Sequence, residues 1–191
     1  IALDKRESSM RIFRLKNDVS KYQYFLPVAD ADVFKLDMEC KPVASIWAPP
    51  EVFIYEPLQK RGDFFDFGGA APILSPTATL MLQHHLESAG ELLPLPYQDE
   101  TFGVLNVLVC VDCLDLEATV HLNGGNRSWW KSYAFVPDIV ERLPKSHLFK
   151  IPQRKNTAVL IWEDDPNVGF IADMKRNKIM GYRLTLLWEG S

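Results

Sequence analysis

Residues 75–90 read SPTATLMLQHHLESAG. A serine hydroxyl just ahead of a helix can accept from an N–H of the first turn. Proline at the first helical position loses nothing, because that N–H has no intrahelical partner. Ala78, Met81, Leu82, His85, Leu86 and Ala89 then recur at helical spacing, and Gly90 is expected to stop the helix in the left-handed conformation. A helix that is apolar on one face must lie on something, so the pattern predicts a helix packed against a sheet.

The flanking segments supply that sheet. Residues 104–120, VLNVLVCVDCLDLEATV, are dominated by Val and Leu with acids confined to the second half, which predicts a buried central strand followed by a polar turn or short helix. Asn123, Gly124, Gly125 and Asn126 form a turn. SYAFV (132–136), HLFKI (147–151) and AVLIWE (158–163) read as strands, the last cut off by Asp164, Asp165 and Pro166. A second helix is expected from Asp165 or Asn167 to Asn177, with Phe170, Ile171 and Met174 inward and Lys175, Arg176 and Lys178 near its C-terminal end. After Gly181, YRLTLLW (182–188) alternates Tyr182, Leu184, Leu186 and Trp188 on one face of a closing strand.

Upstream, MRIFRL (10–15) sets Met10 and Ile12 against Phe13 and Leu15, an imperfect period-two pattern for an opening strand. Pro27, Pro42, Pro49, Pro50 and Pro57 forbid a long helix between them, and SIWAP (45–49) and EVFIYE (51–56) read as short strands. The sum is a single α+β domain over residues 10–191, with a mostly antiparallel or mixed sheet and two main amphipathic helices packed on it. Residues 1–9, IALDKRESS, read as a leading tail, native or appended.

A chain of 191 residues is long enough to bury roughly 70% of its unfolded surface, so no disulfide or metal staple is required. Its 25 acidic and 21 basic residues give a formal charge of -4, which argues against phosphate-neutralising nucleic-acid binding and favours a basic protein partner. There is no run of 18 apolar residues and no apolar core in the first nine, so the expected location is the cytoplasm, with no membrane contact. Cys40, Cys110 and Cys113 are sparse and odd in number, as expected of reduced cytosolic thiols.

Motifs that could carry chemistry each meet a simpler explanation. Cys110 and Cys113 are spaced C-x-x-C, but on a strand residues three apart face opposite ways, and too few further ligands are placed for zinc. His84 and His85 lie roughly 100° apart around their helix, unlike the i, i+4 pair that shares a metal, and His121 and His147 show no ligand spacing with them. Asp63, Asp66, Asp112, Asp115 and Glu117 suit turns and caps. The sequence therefore assigns no catalytic, cofactor-binding or metal-ligating residue. The binding candidates are the adjacent Trp129 and Trp130, because Trp is enriched in interface hot spots, and the acidic corner Glu163, Asp164 and Asp165, which suits a basic partner surface.

Taken together, MRIFRL, GDFFDF (62–67), PILSPTATLMLQHHLESAGELLPL (72–95), NVLVCVDCLDLEA (106–118), HLFKIP (147–152) and FIADMKRNKIMGYRLTLLW (170–188) resemble the immunity protein eleven family of bacterial polymorphic-toxin systems, formerly a domain of unknown function. The resemblance implies a protein that binds and neutralises a cognate toxin encoded beside it, with no catalytic residues of its own. The irregular segment 136–141 and the Trp129–Trp130 region depart from the family pattern and are where toxin specificity would reside. Two other classes stay open. One is a hydrolase or transferase built from Asp63, Asp66 and Asp112 with His85 or His121. The other is a homo-oligomeric scaffold or regulator.

Overall fold

A computed structural model describes residues 10–30, 32, 38–66, 71–121, 130–143, 147–155 and 158–190, with the side chain of His121 not described. The leading tail 1–9, Phe67 of the GDFFDF segment, the turn Asn123–Asn126 and Trp129 lie outside the described residues. The elements begin with β1 (Met10–Asn17), β2 (Tyr24–Pro27), β3 (Val52–Tyr55), β4 (Phe64–Asp66), β5 (Pro72–Leu74) and α1 (Pro76–Ala89). They continue with β6 (Gly90–Tyr97), β7 (Glu100–Val107), β8 (Val120–His121), β9 (Trp130–Ser132), α2 (Pro137–Val140), β10 (Leu148–Phe149), β11 (Val159–Glu163), α3 (Phe170–Arg176) and β12 (Tyr182–Gly190). The architecture is α+β, with antiparallel sheets in the orders β10-β11-β1-β12 and β4-β5-β7-β6 and two-stranded ribbons β2-β3 and β8-β9.

Helix α1 is the wedge between the two larger sheets. Its N-cap Ser75 accepts from Ala78 N, and Gly90 N–H bonds back to Leu86 O; Gly90 is extended at φ 170 rather than left-handed, because it is already the first residue of β6, paired with Val107. Ala78, Leu82, Leu86 and Ala89 pack with Leu15, Val159 and Ile161 of one sheet, Leu74, Leu105 and Val107 of the other, and Phe170, Ile171 and Met174 of α3. Met81, expected on the buried face, is 44% exposed, because the buried stripe follows positions 78, 82, 85, 86 and 89.

The inner strands of both sheets are covered on two faces, which explains why they read as continuous apolar runs. In β4, β5 and β7, Phe64, Leu74 and Leu105 face α1, while Phe65, Ile73, Phe102 and Val104 face a second core closed by Phe25 and Val52 of the β2-β3 ribbon. In β1 and β11, Leu15, Val159 and Ile161 face α1, whereas Ile12 and Leu160 face a third core with Cys113, Phe135, Val140, Leu143, Phe149 and Ile151. The imperfect alternation of MRIFRL is the signature of a strand covered on both sides.

Several sequence expectations are corrected. SIWAP overlaps a 3-10 turn at Ala44–Ile46 and forms no strand. The strand expected from Val104 starts at Glu100 and stops at Val107; beyond it, Cys110 and Leu114 keep only isolated bridges to Lys150 and Phe135. SYAFV contributes only its first residue to β9, and HLFKI only Leu148–Phe149 to β10. The second helix starts at Phe170, later than expected, because Asp165 Oδ1 accepts from Asn167 N in a tight turn and Gly169 adopts φ 92. Among the described residues no helix is long and apolar enough to cross a membrane.

Candidate functional site

The site begins with a bulge. β12 pairs with β1 in register from Tyr182 to Leu186, then Leu187 is left without a partner and Trp188 pairs with Ile12. One extra residue reverses which face the following side chains occupy. Tyr182 and Leu184 therefore pack towards α1, while Leu187 and Trp188 turn to the opposite face, against the third core. The expected single-face series Tyr182, Leu184, Leu186, Trp188 is broken there, and Leu186 is 50% exposed.

The bulge sets two indoles in one row. Ile12 pairs with Trp162 on one side and Trp188 on the other, so both rings lie on the same face of three adjacent strands. Between them opens a hollow of about 240 Å³ lined by Met10, Pro137, Glu141, Trp162, Asp164, Trp188 and Gly190. The Trp188 ring lies against Gly190, where a Cβ would come within 2.1 Å of it, and meets Phe135 edge-on at 5.9 Å. Helix α2, which spans most of the irregular segment 136–141, supplies Pro137 and is followed by Glu141 on the facing wall. Aromatic faces carry negative π-density and attract cations, and two carboxylates at the same mouth reinforce that preference.

The acidic corner does not act as a unit. Asp164 is exposed and lines the hollow. Glu163 is 3% exposed and pairs with Arg11 at 2.5 Å, so it belongs to the structural interior. Asp165 is exposed, with Oδ1 accepting from Asn167, the role of a turn former.

Trp130 lies elsewhere, with its neighbour Trp129 outside the described residues. It is half-buried, packs edge-on against Tyr133 at 5.0 Å and is covered by the Arg154 guanidinium at 4.8 Å. It lines a separate groove of about 580 Å³ with Arg14, Lys16, Lys131, Tyr133 and Arg154, so its surroundings are basic rather than acidic. Burial together with the charges of Arg14 and Arg183 lowers the Lys16 pKa against the opposing pull of Asp66.

The histidines meet a carboxylate that their spacing in sequence does not indicate. His85 Nε2 lies 2.9 Å and His84 Nε2 3.6 Å from the same oxygen, Oδ2 of Asp173 on α3. Their rings sit 3.8 Å apart, and His147 is 6.0 Å from His85, packed on Trp162 at 4.9 Å. Gly169 makes room for His147: a Cβ there would lie 2.0 Å from the imidazole. Burial lowers the His85 pKa despite the hydrogen bond it makes to Asp173, and burial lowers that of His147 despite the charges of Asp164, Glu163 and Asp173. Burial pushes the Asp173 carboxyl upward, but the His85 hydrogen bond and Arg176 outweigh it and hold it below the ordinary value. An ionised Asp173 only accepts, so His85 Nε2 carries the proton between them.

The carboxylates of the hydrolase alternative are engaged in holding the fold. Asp63 accepts from Ser75 Oγ and Met180 N, Asp66 from Asn17 N, and Asp112 from Gln153. Asp115 accepts from the N–H groups of Glu117 and Ala118. The three cysteines are free, with Cys113 buried in the third core and Cys110 in contact with Cys40.

In comparisons with known proteins, no family model matches the chain and no curated protein matches it.

Proposed function

We propose that this chain is an immunity protein of the cytoplasm, which neutralises a cognate bacterial toxin by binding and occluding it, and that the hollow between Trp162 and Trp188 is its anchor socket. The observation that carries the reading is the composition of that hollow: two indoles set in one row by the β12 bulge, with Glu141 and Asp164 at the same opening. This is a receptacle for a lysine or arginine side chain projecting from a basic partner. The resemblance carried by the motifs from Met10 to Trp188 supplies the class of partner, a toxin domain encoded beside this chain.

Interfaces of this kind bury on the order of 1,600 Å², with a few central aromatic or charged anchors providing most of the free energy. The test is co-expression with the product of the neighbouring toxin gene in a sensitive host. Growth protection together with a recoverable complex supports the reading; killing that the chain does not relieve, with no complex, refutes it.

A homo-oligomeric scaffold is the second reading, favoured by β12. It is a nine-residue strand at the edge of its sheet, carrying the exposed Leu186, and such an edge can pair with a second copy. Light scattering showing a monomer at micromolar concentration removes that option.

A further inference from the structure

We propose that His84, His85 and Asp173 form a site for one divalent transition-metal ion of the zinc or cobalt kind, clipping α1 to α3. The three donor atoms all lie within 4.8 Å of one another. Imidazole nitrogen and carboxylate oxygen sit about 2.0–2.2 Å from zinc, so two such ligands at a tetrahedral angle are about 3.3 Å apart. The separations of 2.9 Å and 3.6 Å from Asp173 Oδ2 to the two Nε2 atoms bracket that value.

The arrangement of the donors suits one ion at this point. Asp173 Oδ1 is taken by Arg176, which leaves Oδ2 as a single directed donor. Of the two imidazole contacts to that oxygen, His85 is hydrogen-bonded and His84 lies just beyond hydrogen-bonding distance. A metal ion would accept from all three groups at once. His85 is held by packing, 8% exposed and edge-on to Phe170 at 5.6 Å, while the His84 side chain is 66% exposed, so an ion can enter from solvent. Leu82 and Leu86 of α1 and Phe170, Ile171 and Met174 of α3 fix the two helices, so the ligands are presented from a preformed frame. Two nitrogen donors and one carboxylate select borderline transition ions over magnesium or calcium, which take all-oxygen shells. With three protein ligands, a fourth tetrahedral position stays open to water or to a partner's side chain.

The inference stands apart from the toxin-binding reading. Its test uses the untagged full chain, stripped with a chelator and titrated with Co2+ under visible spectroscopy, then with Zn2+ in competition. One equivalent of Co2+ should bind saturably, with tetrahedral d–d absorption that Zn2+ abolishes. His84→Ala removes an exposed side chain and should leave the circular dichroism unchanged while weakening the affinity by about 100-fold or more, since even the partners that only orient metal ligands contribute 10–100-fold. Asp173→Asn should do the same. No saturable uptake, several weak equivalents in place of one, or uptake unchanged in folded His84→Ala overturns the proposal.

Discussion

Truncating Leu82 tests whether α1 is truly the wedge between the two sheets. Leu82 is fully buried and sits in a core drawn from both sheets and from α3. Those neighbours belong to separate elements that cannot all collapse inward, so most of the volume vacated by Leu82→Ala stays as a cavity. Buried Leu→Ala changes of this type cost about 3–5 kcal/mol. Met81, one position earlier and 44% exposed, removes far less buried surface, and Met81→Ala should cost about 1 kcal/mol or less, part of it offset by the higher helix propensity of alanine. With an m-value of about 2–3 kcal/mol per molar urea, Leu82→Ala lowers the urea midpoint by about 1.5 M and Met81→Ala by under about 0.5 M. Tryptophan fluorescence during urea unfolding reads both. Equal losses from the two variants would show that the helix is rotated from the phase described here, and the wedge argument would fail.

Three further outcomes are expected. Ser75→Ala removes the acceptor for Ala78 N and the partner of Asp63, and should cost about 1 kcal/mol by the same urea assay. Burial holds the folded-state pKa values of His85 and His147 below the ordinary 6.5, so in acid the unfolded chain binds the protons first. Their stabilising contribution is complete above that ordinary value and is lost as pH falls through the lowered folded values, so the melting temperature measured with chelator present should drop below pH 6.5; a flat profile across that range would contradict the burial of these rings. Burial raises the Cys40 and Cys113 thiols to about 12, so alkylation at neutral pH should be slow in the native protein and fast in urea, as read by mass spectrometry.

The helix α1 was legible because its signals are local: a capping serine, a proline at the first position and a glycine at the end all act within a turn of their own residue. The strands β1, β11 and β12 were legible from apolar runs and from their abrupt ends. Strand β6 was missed because Pro94 and Pro96 argue against a strand. They are tolerated because β6 lies at the edge of its sheet, where a missing N–H costs no ladder bond. The face of Trp188 was misread because nothing in YRLTLLW announces that Leu187 will be left out of register against β1.

The candidate site was legible only in fragments. Asp164 was singled out for its charge, and the structure gives it Trp162 and Trp188 as neighbours. Glu163 looked like its partner in sequence, but alternation along β11 turns it inward to Arg11. The histidine cluster escaped notice because its members meet through tertiary structure, with Asp173 arriving from a helix 88 residues beyond His85. One signal did point there: His85 sits on the apolar stripe of α1, and Asp173 interrupts the apolar face of α3.

The claim that the Trp162–Trp188 hollow grips a basic partner is tested most directly by calorimetric titration of the neighbouring toxin domain into the wild-type chain and into Asp164→Lys and Trp188→Ala. Asp164 is exposed, so its replacement leaves the core untouched. The loss of an aromatic hot spot of about 2 kcal/mol corresponds to about a 30-fold weakening, and the reversed charge at the mouth should weaken binding at least as much and most strongly at low salt. Affinity unchanged in both folded variants would contradict the assignment of this hollow.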